Sequence, residues 1–154
     1  MNKINFPKFL LASKNIRIVN FLIDLFCVKI LLTIFFHLTE LVSNGNRVTN
    51  WYYTLDVYEL FLANSIFIFI YYSTTETILQ RSISKFITKT IVVNSNGEKP
   101  AKIEILARST LRIIPFEYLT FLRGRKLGLH DEYSSTFVVK KNKLDFYLKE
   151  NKNT

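Results

Sequence analysis

The side chain in the most unusual setting of this sequence is Asp24, which lies inside the run Ile16 to Leu38, IRIVNFLIDLFCVKILLTIFFHL. That run is apolar around most of its helical circumference. If it crosses a bilayer, a carboxylate within it costs on the order of 2.5–3.5 kcal/mol on insertion scales. Such a group has to be neutralised by a proton, by hydrogen-bonding neighbours or by a bound cation. Arg17 opens the same run about 10 Å away along a helix axis, on nearly the same face but too far for a direct ion pair. Its long stem lets it reach towards the interface instead. Lys29 points roughly 140° away from Asp24 and is a poor partner. A second apolar run, Leu55 to Leu79, carries Tyr58, Ser65, Tyr72 and Glu76 at spacings of seven, seven and four. These form a narrow stripe on a helix, the expected surface to face Asp24. Antiparallel pairing would also bring Glu76 level with Arg17.

Other reactive residues point nowhere in particular. Cys27 is the only cysteine, so disulfides and multi-cysteine metal sites are excluded, and it reads as a packed apolar residue. His37 and His130 are too far apart in sequence to suggest a zinc site without carboxylate help. His130 precedes Asp131, but neighbours in sequence rarely point together. No Gly-x-Ser-x-Gly, HExxH or phosphate-binding glycine loop occurs. The reading is therefore not an enzyme, with no cofactor and no metal. Lys140, Lys141 and Lys143 are explained more cheaply by anionic headgroups than by nucleic acid.

The elements that must position Asp24 follow from length and charge. The chain has 154 residues, 49% of them hydrophobic, yet carries a net charge of +9. Two apolar runs of 20 residues or more are hard to hide in a soluble domain of that size, and each is long enough to span a bilayer. Residues 1–17 carry Lys3, Lys8, Lys14 and Arg17 with no acid, and residues 80–154 carry fifteen Lys+Arg against seven Asp+Glu. Positive flanks on the same side predict both termini in the cytoplasm. The expected fold class is an all-α membrane protein: a two-helix transmembrane hairpin with a cytoplasmic amphipathic helix and short strands in the tail. The predicted order is a cytoplasmic segment 1–15, spans at 16–38 and 55–79, an external loop 39–54 and a cytoplasmic tail 80–154. The external loop contains the turn signal Asn44-Gly45, and Trp51, Tyr52 and Tyr53 lie where aromatics anchor at an interface.

Within the tail, Ile91-Val92-Val93 reads as a strand followed by the turn Asn94-Ser95-Asn96-Gly97. Pro100 opens a helix, and an amphipathic interfacial segment is expected near 101–122, since a third span would have to hold Glu104, Arg108, Arg112, Pro115 and Glu117. Ser134 to Val139 reads as a second short strand.

Arg17 at the start of the first run, Asp24 inside it, Leu129-His130-Asp131 and Ser135-Thr136-Phe137-Val138-Val139 together resemble the RDD family of bacterial membrane proteins. VVNSNGEKP, ARSTLRIIPFE and LHDEYSSTFVV are similar to stretches of its members. The resemblance covers roughly Ile16 to Lys140 and implies Arg17, Asp24 and Asp131 as the family-defining polar positions. One departure is Ser84-Lys85, where members often carry Gly-Lys after the second span. The resemblance implies a bacterial inner-membrane, multi-pass protein and brings no catalytic mechanism with it.

Two functions follow as expectations. One is small-ion or solute transport coupled to Asp24, in a homo-oligomer because two helices cannot enclose a pathway. The other is a membrane-anchored module whose basic tail binds lipid or a protein partner. In either case Asp131 is expected to dock the tail on the hairpin through Arg17, with Glu76 competing for the same guanidinium.

Overall fold

The computed structural model describes residues 7–43, 47–113 and 128–150. Helix α1 (Lys14–Ser43) is uninterrupted by Gly or Pro and extends the expected first span at both ends. Helix α3 (Val57–Leu79) starts on a capping box: the Asp56 carboxylate accepts from the N–H groups of Tyr58 and Glu59, and Glu59 accepts from the Asp56 N–H. It ends at Gln80, which adopts the left-handed conformation (φ 57°) and donates its N–H to the Glu76 carbonyl. Both helices are long and apolar enough to cross a membrane. Only 11% and 17% of their apolar windows are buried, unlike the core helix of a soluble protein. They run antiparallel, with Asp24 meeting Tyr71 and the Phe35 ring 5.4 Å from that of Phe67.

The connection between them, expected as a loop, contains helix α2 (Arg47–Thr54). Its sequence RVTNWYYT has no Gly or Pro to break a helix, and Tyr52 pins it to α3 by a hydrogen bond with Asn64. Asn44 and Gly45, the expected turn, lie outside the described residues.

After α3 the chain reverses through Gln80 into the short helix α4 (Ile83–Ile87) and strand β1 (Thr90–Asn94). The Asn94 side chain accepts from the N–H groups of Asn96 and Glu98, and Gly97 takes the positive φ (83°) of this turn. Helix α5 (Lys102–Leu111) follows, then α6 (Leu129–Tyr133), strand β2 (Thr136–Lys140) and α7 (Lys141–Glu150). The expected interfacial segment near 101–122 is thus helical at least over α5, and residues 114–122 lie outside the described residues. Strand β2 begins two residues later than expected, because Ser135 has φ 54° and closes the turn from α6.

Strands β1 and β2 pair antiparallel, Val92 opposite Val138, and Leu11 bridges to Val139 on the other side of β2. Strand alternation then separates two environments. On one face Ile91, Val93, Phe137 and Val139 form the apolar core with Leu10 and Leu144. On the other, Thr90, Thr136 and Val138 turn towards buried polar groups of α1 and α5. The N-terminal segment, the end of α3 and the tail are tied into this unit by backbone bonds, Ala12 N–H to Val138 carbonyl (2.8 Å) and Val92 N–H to Gln80 carbonyl (2.9 Å).

Candidate functional site

The reversal after α3 brings Ser82, Ser84 and Lys85 back over α1, and this is what closes around Asp24. Asp24 is 1% exposed. Its carboxylate accepts from the Tyr71 hydroxyl (2.7 Å), the Ser82 hydroxyl (2.6 Å), and the Ser84 hydroxyl (2.7 Å) and N–H (3.2 Å). Ser82 stands at the N-cap position of α4 but makes no side-chain cap bond there; its hydroxyl donates to Asp24 and accepts from the Lys85 ammonium. The Tyr71 oxygen in turn accepts from the Ile83 N–H, so the donors are themselves held in place.

The expected stripe is corrected by this geometry. Tyr58 is 81% exposed and far from Asp24 along α3. The Ser65 hydroxyl is given to the Phe61 carbonyl of its own helix. The Tyr72 ring packs under the Arg112 guanidinium (3.8 Å) and beside Lys85. Glu76 receives Lys85 (2.8 Å) and Arg112 (2.9 Å). The physical reason is α5, which packs on α3 and occupies the Tyr72–Glu76 face. Tyr71, one residue round the helix, is therefore the side that meets α1.

A second cluster adjoins the first. Asp131 is fully buried and paired with both Arg17 and Arg108, and His130 Nε2 lies 3.3 Å from it. Arg17 uses its remaining nitrogens on the carbonyls of Ala12 (3.3 Å) and Val138 (3.5 Å). Arg108 Nη1 also donates to Thr136 Oγ1 (2.9 Å), and its Nε lies 3.2 Å from Glu76 Oε2, a charge contact without hydrogen-bond alignment. The anticipated competition of Glu76 for Arg17 does not arise, since Arg108 stands between Glu76 and Asp131. The Asn20 side chain completes the seam, donating to Thr90 (3.2 Å) and accepting from Thr88 (2.7 Å).

A model of the RDD family matches residues 11–138. The chain belongs to the RDD family. No curated protein and no solved structure matches it. The three positions that carried the resemblance, Arg17, Asp24 and Asp131, all fall in the matched region. In this RDD protein they divide between the clusters: Arg17 pairs with Asp131, while Asp24 is held by hydroxyls. Ser84, standing where members often have glycine, supplies two of the four hydrogen bonds to Asp24.

Electrostatics separates the tail groups. Burial alone would raise the Asp131 carboxyl, but the guanidiniums of Arg17 and Arg108 outweigh it and hold the group far below the usual carboxylate range. Burial pushes the Lys85 ammonium below its ordinary range, against the pull of Glu76. Among the described residues no group of three His, Cys, Asp or Glu side chains is arranged to hold a metal ion. Between the clusters lies a cavity of about 30 Å³, with Asp24, Tyr72, Lys85, Arg108 and His130 among its walls.

Sequence reasoning overlooked Tyr71, Ser82, Ser84, Lys85 and Arg108 as site residues. The Ser-x-Ser-Lys run directly after the second apolar run, and the Arg108–Arg112 spacing of one helical turn, were the available signals.

Two expectations follow. Asp131→Asn leaves two buried guanidiniums without their carboxylate and should cost about 3–5 kcal/mol of stability, Arg17→Lys less. In a double-mutant cycle read by thermal unfolding in detergent, Arg17→Lys should add little in the Asp131→Asn background; full additivity would show that the residues act separately. Stability should also depend on acid. The Asp131 contribution is fully present above the unfolded carboxyl pKa of about 3.9 and is lost as pH falls below it towards the depressed folded value. Wild-type stability should decline between about pH 5 and pH 2, with a shallower slope in Asp131→Asn.

Proposed function

We propose that this RDD protein handles a monovalent cation at Asp24, as part of a small membrane transporter. The observation that carries the reading is the oxygen cluster itself. One carboxylate and the three hydroxyls of Tyr71, Ser82 and Ser84 converge in a buried position on the first membrane-type helix. Hard cations take oxygen ligands, and a single carboxylate matches the charge of a monovalent ion. The hydroxyls need only rotate to turn their oxygens from donating to Asp24 to coordinating an ion beside it. Lys85 Nζ lies 3.1 Å from Ser82 Oγ and 2.8 Å from Glu76 Oε1, and burial weakens its hold on a proton. A cation arriving at Asp24 is thus balanced by a proton passed from Nζ to water, with Glu76 keeping Arg112 as its partner.

In this reading the protein is a multi-pass protein of the bacterial inner membrane, with both termini cytoplasmic, as the Lys/Arg distribution favours. Two helices do not enclose a pathway, so the working unit is a homo-oligomer. The distinguishing experiment is flux in proteoliposomes carrying an internal pH dye and an imposed sodium or potassium gradient. Wild type should exchange cation for proton, and Asp24→Asn and Ser82→Ala should lose most of that exchange while staying abundant and cooperatively folded, Ser82→Ala at a stability cost of about 1–3 kcal/mol. Exchange unchanged in Asp24→Asn overturns the proposal. Absence of exchange in wild type, with tight binding of the protein's basic tail to anionic vesicles, would favour the interaction module instead.

A further inference from the structure

Helix α4 is built the wrong way round for water. Its polar residues Ser84 and Lys85 are buried, while Ile83, Phe86 and Ile87 are 42–65% exposed. A surface helix of a soluble protein turns the opposite face outward. The apolar surface does not stop at α4. Ile78 and Leu79, in the last turn of α3, are also exposed, and Ile83 lines the same groove as Val28, Leu31 and Ile70 on the two membrane-type helices.

The depth of α4 follows from the return of the chain. After Gln80 it doubles back until the Ile83 N–H reaches the Tyr71 hydroxyl (3.2 Å). Tyr71 stands about 12 Å before the end of α3, at ~1.5 Å per residue. Were α3 to leave the lipid at Tyr71, residues 57–70 would reach only about 21 Å, short of the ~30 Å hydrocarbon core. The last turns of α3 are therefore needed for the crossing, and α4 lies alongside them. Backbone that doubles back at membrane depth is tolerated where protein satisfies its polar groups. Here Ser82 and Ser84 give their hydroxyls to Asp24, and the Lys85 ammonium meets Glu76. The Arg81 guanidinium lies over the Phe86 ring (4.5 Å), a cation beside this face that its long stem can carry towards the headgroups.

We propose that α4 is a re-entrant helix seated in the inner leaflet, with Ile83, Phe86 and Ile87 against lipid acyl chains. Lipid is the occupant because the same apolar surface continues onto the helices that cross the bilayer. Ser82 and Ser84, which hold Asp24, are thereby mounted on a helix whose outer face is fixed by the membrane. The inference rests on α1 and α3 crossing the membrane and not on the cation reading.

The test is tryptophan quenching in the full chain, reconstituted into phosphatidylcholine–phosphatidylglycerol vesicles with brominated acyl chains. Trp51→Phe removes the native tryptophan, and Phe86→Trp places a reporter on the outer face of α4. Ile66→Trp, at an exposed position within α3, is the reference for a residue in the bilayer. Phe86→Trp should lose most of its emission to brominated chains and be shielded from aqueous iodide. Quenching by iodide and not by brominated lipid would place α4 in water and overturn the proposal. Shielding from both quenchers would overturn it as well, since a second copy or another protein would then cover the face. An Ile66→Trp reporter untouched by brominated lipid would mean that the membrane crossing itself fails, a result distinct from failure at Phe86 alone. Ile87→Trp reads the same face, with the same outcomes, should Phe86→Trp not fold.

Discussion

The fully buried guanidinium of Arg108, reaching Glu76 on one side and Asp131 on the other, is the contact on which the rest of the arrangement depends. It belongs to α5, Glu76 to α3 and Asp131 to α6, and Asp131 in turn holds Arg17 on α1. Four elements widely separated in sequence are thereby fixed to one another. Ion pairs at a surface contribute about 0–1 kcal/mol, whereas removing one partner from a buried pair costs about 3–5 kcal/mol. The difference matters because the apolar core beside the sheet is small, with Leu10, Ile91, Val93, Phe137, Val139 and Leu144 as its buried members. Buried charge specifies how the tail meets the two long helices.

That constraint also explains how Asp24 is accommodated. Helix α5 holds the Tyr72–Glu76 face of α3, which leaves Tyr71 to meet α1. The chain reversal at Gln80 then returns Ser82 and Ser84 to the same carboxylate. A group that would be costly in an isolated apolar helix becomes fully hydrogen-bonded without a second charge bonded directly to it. Hydroxyl donors can reorient, whereas Asp131 is held between two buried guanidiniums, Arg17 at one oxygen and Arg108 at the other. One carboxylate of this RDD protein is thus built for adaptability and the other for attachment.

Much of this was legible in the sequence. The unusual setting of Asp24 within a long apolar helix, the second such helix and the strands around Val92 and Val138 all follow from hydropathy and alternation. The pairing of Arg17 with Asp131 was expected from the resemblance, but the division of the guanidinium was not: one nitrogen meets Asp131 and the others meet the carbonyls of Ala12 and Val138. The choice of Tyr71 over Tyr72 was not legible, because periodicity defines stripes on a helix without saying which neighbour covers each. Ser82 and Ser84 were hidden for a related reason: their role arises from a left-handed Gln80 that reverses the chain. Helix α2 was missed because aromatic residues before a span read as interfacial anchors whatever their backbone conformation.

Hydrogen exchange on wild type and Arg108→Met in detergent tests the central claim most directly. Asp131 keeps Arg17 and Glu76 keeps Lys85 and Arg112 in that variant, so the protein should remain folded. The account expects protection to fall together across β1, β2, α5 and α6, while the middle of α1 and α3 keeps its own, as one cooperative unit comes loose from another. Loss of protection confined to α5 would contradict it, showing that Arg108 stabilises its own helix and does not join the tail to the rest of the fold.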